Sequence, residues 1–258
     1  MDADYKSLFL NILGGALLII LDRLWLYFKH KFNCLRYKWI FGNGINNDFS
    51  IVYAKFKLKP IFKEDDFNYC KPGNGKLHFK ISEVVSFTET KSAKYISDSI
   101  AKNTKHASKI ISDNEIKDKV NISYCSLGGR SNYKTNDILD ADNNYYFNFD
   151  IDKSQISSKI DSSKSFPINN DYDYAVIIKL KNKSFPDKTQ ICVAGLGEWG
   201  TSGASWFLAN KWKILLRKAW CREFGCVIRV KHGKDESAEI IEMITYKDYK
   251  RFINRTNK

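Results

Sequence analysis

The sequence lacks the cysteine patterns that mark zinc sites and redox-active pairs. No two cysteines form a C-x-x-C pair, and none stands in a Cys/His group with the spacing of zinc ligands. The six cysteines are Cys34, Cys70, Cys125, Cys192, Cys221 and Cys226. Several lie in apolar runs, where a thiol behaves as a small hydrophobic side chain. We therefore expect reduced structural thiols, no metal, and a cytosolic main domain.

The sequence also lacks a Walker loop, a solenoid repeat and any recognisable nucleic-acid-binding module. What it has is 258 residues, 43% of them hydrophobic, and a formal net charge of +13. This composition excludes a disordered or collagen-like chain and allows one sizeable domain with an appendage. The positive charge indicates an anionic partner, but the lysines are spread along the chain, which disfavours nucleic acid.

The most apolar stretch runs from Leu8 to Phe28. At about 1.5 Å per residue it spans roughly 31 Å as a helix, close to the hydrocarbon core of about 30 Å. An Asp22-Arg23 pair interrupts it near its end. We predict a transmembrane helix within residues 1–28. Two alternatives fit less well: a cleaved signal peptide lacks its positive start and its cleavage site, and a surface-lying helix conflicts with apolar residues on every side over 12–21.

Basic residues follow this segment at Lys29, Lys31, Arg36 and Lys38, whereas the first residues are slightly acidic. The positive-inside rule predicts a single-pass protein of the cell membrane with its N-terminus outside and its C-terminal domain in the cytoplasm. Residues 29–47 are predicted as a basic juxtamembrane linker attracted to anionic lipid, and residues 246–258 as a basic C-terminal tail.

Strand and helix patterns alternate between residues 48 and 245. Short apolar or alternating runs predict strands, and apolar residues at helical spacing predict helices. The predicted strands cover about 50–58, 120–127, 145–149, 174–180, 190–194, 224–230 and 238–244, and the clearest helices cover 92–103 and 201–222. The polar run 150–173 is expected to be a surface loop or hairpin. This order predicts an α/β sandwich with a largely parallel sheet, of Rossmann-like type.

Two glycine-rich turns each follow a predicted strand and precede a predicted helix. In an α/β sheet such turns lie at the carboxyl ends of the strands, where ligands bind. There, backbone N–H groups and a helix N-terminus can hold a phosphate. The candidate ligand-binding residues are Gly128, Gly129, Arg130, Ser131, Asn132, Gly195, Gly197, Glu198, Gly200, Thr201 and Ser202. Two alternatives stay open: glycines that only permit tight packing, and an Arg130 that only pairs with a surface carboxylate.

The stretches Leu127-Gly-Gly-Arg-Ser-Asn132 and Ala194-Gly-Leu-Gly-Glu-Trp-Gly-Thr-Ser-Gly-Ala204 resemble the two nucleotide-binding turns of the LOG-like superfamily, which includes phosphoribohydrolases and SLOG sensor domains. The resemblance implies a nucleotide-type ligand and no other cofactor. In the hydrolases the second turn carries a catalytic glutamate, and Ala204 stands at that position here. The resemblance therefore favours binding over catalysis. SLOG domains joined to membrane segments are similar to effectors of bacterial antiviral defence.

Two functional hypotheses follow. The first is a membrane-anchored sensor or effector that binds a nucleotide-derived signal and rearranges its membrane helices, which implies a homo-oligomer. The second is a membrane-anchored nucleoside or nucleotide hydrolase or transferase, with Glu198, Asp171 or Asp173 as the acid or base.

Overall fold

The computed structural model describes residues 3–46, 48–57, 68–70, 76–78 and 83–256, with side chains described over 13–46, 48–56 and 84–256. The side chain of Cys70 lies outside these ranges. The helices are α1 (Ala3–Phe41), α2 (Phe87–Thr104), α3 (Asp113–Ile116), α4 (Tyr133–Leu139), α5 (Glu198–Ala219) and α6 (Tyr246–Thr256), with a 3-10 turn at Asn43–Asn46. The strands are β1 (Phe49–Tyr53), β2 (Phe56–Lys57), β3 (Asn68–Cys70), β4 (Lys76–His78), β5 (Glu83–Val84), β6 (Lys109–Ser112), β7 (Ser123–Leu127), β8 (Phe147–Asp150), β9 (Gln155–Ser158), β10 (Ser165–Pro167), β11 (Tyr172–Lys181), β12 (Thr189–Gly195), β13 (Phe224–Lys231) and β14 (Lys234–Thr245).

The central sheet has the strand order β14-β13-β11-β12-β7-β1-β6. The strands β6, β1, β7 and β12 are parallel neighbours, whereas β11 pairs antiparallel with both β12 and β13, and β14 pairs antiparallel with β13. The prediction of an α/β fold with a largely parallel sheet is confirmed, and the β14 side of the sheet is antiparallel. The polar run after residue 150 forms part of a separate three-stranded sheet, β10-β9-β8.

Alternate residues of the central strands face two separate cores, which makes the fold a three-layer sandwich. Ile51 and Cys125 face the core beneath α1, α2 and α5. The next residue along β1, Val52, and the preceding residue along β7, Tyr124, face the core beneath α3, α4 and the small sheet. All four side chains are fully buried. The sheet is therefore covered on both faces, as its near-continuous apolar strands require.

The last turn of α1 belongs to the folded domain. Tyr37, Ile40 and Phe41 are fully buried. The Tyr37 hydroxyl donates to Ser99 Oγ of α2 at 3.1 Å, and Ser99 Oγ donates to the Ala209 carbonyl of α5 at 2.8 Å. Of the residues predicted as a linker, 29–41 thus continue the helix, and its last turn enters the core because Tyr37, Ile40 and Phe41 pack against α2 and α5.

The middle of α1, from Leu17 to Phe28, projects apolar side chains into solvent. Leu17, Leu18, Ile19, Trp25 and Phe28 are all more than half exposed. Over the side chains that are described, from residue 13 onward, no helix is both long enough and apolar enough to cross a membrane. The predicted span begins at Leu8, before that range.

Candidate functional site

The two glycine turns meet at the carboxyl edge of the parallel strands. The first follows β7 and the second follows β12, and these strands are hydrogen-bonded neighbours. The Gly128 N–H donates to the Val193 carbonyl at 3.1 Å, and a β-carbon at Gly129 would lie 3.4 Å from the Gly195 carbonyl oxygen. The structure therefore brings together the two segments that the sequence singled out.

A buried carboxylate lies behind the first turn. Gly128 has φ of +97°, and a β-carbon there would collide with Glu89 Oε1. Glu89 lies in the first turn of α2, where its Oε2 accepts the Ala54 N–H at 2.8 Å. Burial, partly offset by that hydrogen bond, raises the pKa of Glu89 to about 7. The glycine is thus required by both its backbone angle and the close approach of this carboxyl group.

Asn132 holds the first turn in place. Its side chain is fully buried, and its Oδ1 caps α4 by accepting the Lys134 N–H at 2.9 Å. Its Nδ2 donates to the Val52 and Leu127 carbonyls at 3.1 and 2.9 Å. Since all these groups are internal, the side chain of Asn132 is engaged in joining the ends of β1 and β7 and not in facing a ligand.

Arg130 and Ser131 lie at the mouth of the first turn. The Arg130 Nη1 donates to both carboxylate oxygens of Asp140, at 2.6 and 2.7 Å, and Nη2 donates to the Phe149 carbonyl at 3.3 Å. Arg130 also borders an open cavity of about 540 Å³, and Ser131 is exposed. Within the described part of the chain, the backbone N–H groups of Gly129, Arg130 and Ser131 donate no hydrogen bond.

The second turn already holds an anionic group, the side chain of Asp173. Its Oδ1 accepts the Gly197 N–H at 3.1 Å and its Oδ2 accepts the Gly200 N–H at 2.6 Å, at the start of α5. Asp173 is only 1% exposed. Burial raises the pKa of this carboxyl group, and the backbone N–H groups partly oppose that rise. An internal carboxylate therefore occupies the helix N-terminus at which the sequence predicts a phosphate.

The remaining residues of the second turn have mostly structural partners. Thr201 Oγ1 accepts the Gly195 N–H at 3.1 Å, and Ser202 Oγ donates to Asp235 Oδ1 at 2.7 Å. The side chains of Thr201, Ser202 and Ala204 are buried, whereas the side chain of Glu198 is exposed. Of the candidate residues, Gly129, Arg130, Ser131, Gly197 and Glu198 reach the surface.

Sequence reasoning missed a polar group between α2 and α5. Asp235, at the start of β14, is 2% exposed and accepts hydrogen bonds from Ser202 Oγ, from Tyr95 Oη at 3.0 Å and from Lys91 Nζ at 2.7 Å. The Asp235 carboxylate raises the pKa of Lys91. No motif marks these residues, because they come from three distant segments.

Glu89 was missed for a different reason. The pattern Ser86-x-x-Glu89 is a sequence signal of a capping box. In the structure Ser86 is the N-cap but makes no side-chain cap, and Glu89 binds the Ala54 N–H instead. The pattern coincides with the start of α2, five residues before the predicted helix of 92–103, but it gives no sign of the inward direction of the carboxylate.

Among the described residues, no group of three or more His, Cys, Asp or Glu side chains is arranged to hold a metal ion. The chain matches no model of a known protein family. It also matches no curated protein and no solved structure. The fold and site define an α/β protein with two adjoining glycine turns at the carboxyl edge of its sheet.

Proposed function

We propose that this chain is a membrane-anchored sensor or effector whose Rossmann-like, SLOG-like domain binds a nucleotide-derived signal, and that it acts in bacterial antiviral defence. The observation that carries the proposal is the meeting of two glycine turns at the carboxyl edge, with a β-carbon position of Gly129 only 3.4 Å from the Gly195 carbonyl. Ligands of open α/β sheets bind at this edge.

The first turn supplies the contacts for a phosphate group. The unused N–H groups of Gly129, Arg130 and Ser131 are consecutive donors, and consecutive backbone amides favour anions. The Arg130 guanidinium is held by Asp140, whose side chain is 63% exposed. Because exposed ion pairs contribute little free energy, a bound phosphate displaces Asp140 from Arg130 at low cost.

The apolar segment Leu17 to Phe28 of α1 provides the membrane attachment. Most of its large apolar side chains are about half exposed or more, and exposed apolar surfaces mark contacts with lipid or with other chains. A homo-oligomer of such helices would respond to the ligand only if the ligand binds the active assembly better than the resting one. The buried last turn of α1 connects that response to the domain.

A binding experiment with a matched pair of variants tests the site. The full chain in nonionic detergent is titrated with linear and cyclic nucleotides by calorimetry. Alanine at Gly129 makes only ordinary contacts, whereas valine fills the gap between the turns. We expect a nucleotide that binds the wild type and Gly129→Ala but not Gly129→Val. Equal binding by both variants would exclude this site.

A cellular experiment tests the output. Expression of the wild type with the inducing signal should make the cell membrane permeable to a dye, and Arg130→Ala should reduce this permeability because the phosphate contact is lost. Unchanged permeability together with unchanged ligand binding in Arg130→Ala contradicts the role of Arg130.

The hydrolase or transferase hypothesis has one observation in its favour, namely the carboxyl group of Glu89. A carboxyl group with a pKa of about 7 beside a ligand turn suits general acid or base catalysis. Asp173 is saturated by backbone N–H groups and Glu198 is exposed, so neither resembles such a group. Release of free base from nucleotides by the wild type, abolished in Glu89→Gln, would establish this activity.

A further inference from the structure

A groove of about 420 Å³ lies between the end of α1 and the last turns of α5. Since α5 starts at the glycine turns and runs away from them for 22 residues, the groove lies at the opposite edge of the sheet. Its lining combines cations with aromatic rings and contains no carboxylate. The lining residues are Phe32, Arg36, Trp39, Lys213, Ile214, Leu216, Arg217 and Trp220.

The cations of the groove have aromatic neighbours but no anionic partners. The Arg36 guanidinium lies 5.4 Å from the centre of the Phe32 ring, and Lys213 Nζ lies 5.5 Å from that of Trp212. Arg217 is exposed in the last turn of α5. None of these three cations forms an ion pair with another described residue. Their charge is therefore available to an anion from outside the chain.

The walls of the groove are fixed from beneath. Lys179, 4% exposed, donates through Nζ to the Trp39 carbonyl of α1 at 2.5 Å and to the Cys221 carbonyl just after α5 at 3.5 Å. The Trp39 and Trp220 rings lie 5.5 Å apart. The two helix ends are therefore held in fixed positions on either side of the groove.

Trp220 is held in an unfavourable backbone conformation at the surface. Its φ is +54° and its ψ is −148°, a region that favours glycine, and its side chain is 59% exposed. Burial does not explain a tryptophan here. Trp220 instead presents its ring to the groove, beside the ring of Trp39.

The groove also lies at the right depth. Phe32 follows the end of the predicted span by four residues, or about 6 Å along a helix. The headgroup layer on each side of the hydrocarbon core is about 5 to 8 Å thick. We propose that the groove binds the headgroup of an anionic phospholipid, with its phosphate at Arg36, Lys213 and Arg217 and its acyl boundary at Phe32. This inference rests on the membrane anchoring proposed above but not on nucleotide binding.

A titration of the full chain in nonionic detergent with short-chain phosphatidylglycerol or phosphatidylcholine tests the groove, with tryptophan fluorescence as the readout. The wild type should bind phosphatidylglycerol more tightly. Each cation near an anionic lipid surface contributes about a fivefold change in affinity, so Arg36→Gln/Arg217→Gln should weaken binding about 25-fold. The control Lys119→Gln/Lys234→Gln changes the charge equally at exposed positions outside the groove and should bind as the wild type does.

Three results would overturn the proposal: equal affinity of the wild type for both lipids, an equal loss in the control variant, or displacement of phosphatidylglycerol by glycerol 3-phosphate at the same concentration. Ultracentrifugation of lysates separates this proposal from the anchoring. If the wild type sediments with the membranes but shows no preference for phosphatidylglycerol, only the proposal for the groove is refuted. If the wild type stays in the supernatant, the proposed membrane anchoring is refuted as well.

Discussion

The carboxylate of Asp173 fills the place at the start of α5 where a ligand phosphate is expected, so its removal should create a vacant anion site. Asp173→Ala leaves the N–H groups of Gly197 and Gly200 without their acceptor. These donors lie at a helix N-terminus, where the backbone dipoles favour negative charge. The structure therefore predicts both a loss of stability and a rescue by a small anion.

The size of the loss follows from two opposing contributions. A hydrogen bond to a charged group contributes about 1.5 to 3 kcal/mol, so the two bonds together contribute about 3 to 6 kcal/mol. Part of this is returned, because the ionised Asp173 is costly to bury, as its raised pKa indicates. A net loss of about 3 kcal/mol lowers the melting temperature by about 6 to 12 °C in a chain of this size.

The assay is thermal unfolding of the full chain in nonionic detergent at pH 7, with sodium formate compared against sodium chloride at equal ionic strength. Formate is a carboxylate that fits the space left by the Asp173 side chain. At about 100 times its dissociation constant it should restore about 2.7 kcal/mol to Asp173→Ala. The matched control is Asp187→Ala, which removes the same charge from a side chain that is 73% exposed.

Two results would refute this reasoning. If Asp173→Ala unfolds at the temperature of the wild type, the carboxylate does not hold the start of α5. If formate raises the melting temperature of the wild type or of Asp187→Ala as much as that of Asp173→Ala, the anion binds elsewhere.

Three further predictions concern the first turn, and each is measured by urea unfolding. Because the pKa of Glu89 rises from 4.5 to about 7 on folding, the contribution of Glu89 to stability is full below pH 4.5 and falls by up to about 3 kcal/mol as the pH rises through 7; the wild type should show this loss relative to Glu89→Gln. Gly128→Ala should lose about 2 kcal/mol through its positive φ and its collision with Glu89, and Gly129→Ala less than about 0.5 kcal/mol; equal losses would contradict the geometry. Asn132→Ala should lose about 2 to 3 kcal/mol with its cap and its two carbonyl partners, while Ser131→Ala, on the surface, should be neutral.

The strands and their class could be predicted because their apolar patterns are local. The continuous apolar run of β12 indicates a strand buried on both faces, and the glycines after β7 and β12 indicate turns. Strand direction is not encoded in this way, since β11 has an apolar run like those of the parallel strands of the sheet yet runs antiparallel to β12. Only the connection between them, too short for a helical crossover, carries that information.

The sequence predicted the two glycine turns of the site but not the buried side chains that support them. Glycine after a strand is a local signal, but the three buried carboxylates depend on contacts between distant segments. Glu89 meets Ala54 across 35 positions, Asp173 meets Gly200 across 27, and Asp235 meets Ser202 across 33. A single sequence gives no sign that these three acidic residues, among 29 of their kind, are drawn inside.

The helix α1 runs without interruption from Ala3 to Phe41, and its last turn is fixed in the core by Tyr37. Because the helix is continuous, one residue inserted into it would rotate the preceding part of α1 by about 100° about the helix axis. The same insertion would shift that part by about 1.5 Å relative to the domain. The number of residues between Phe28 and Tyr37 therefore determines the direction, around the helix axis, in which the apolar side chains of α1 point relative to the sheet.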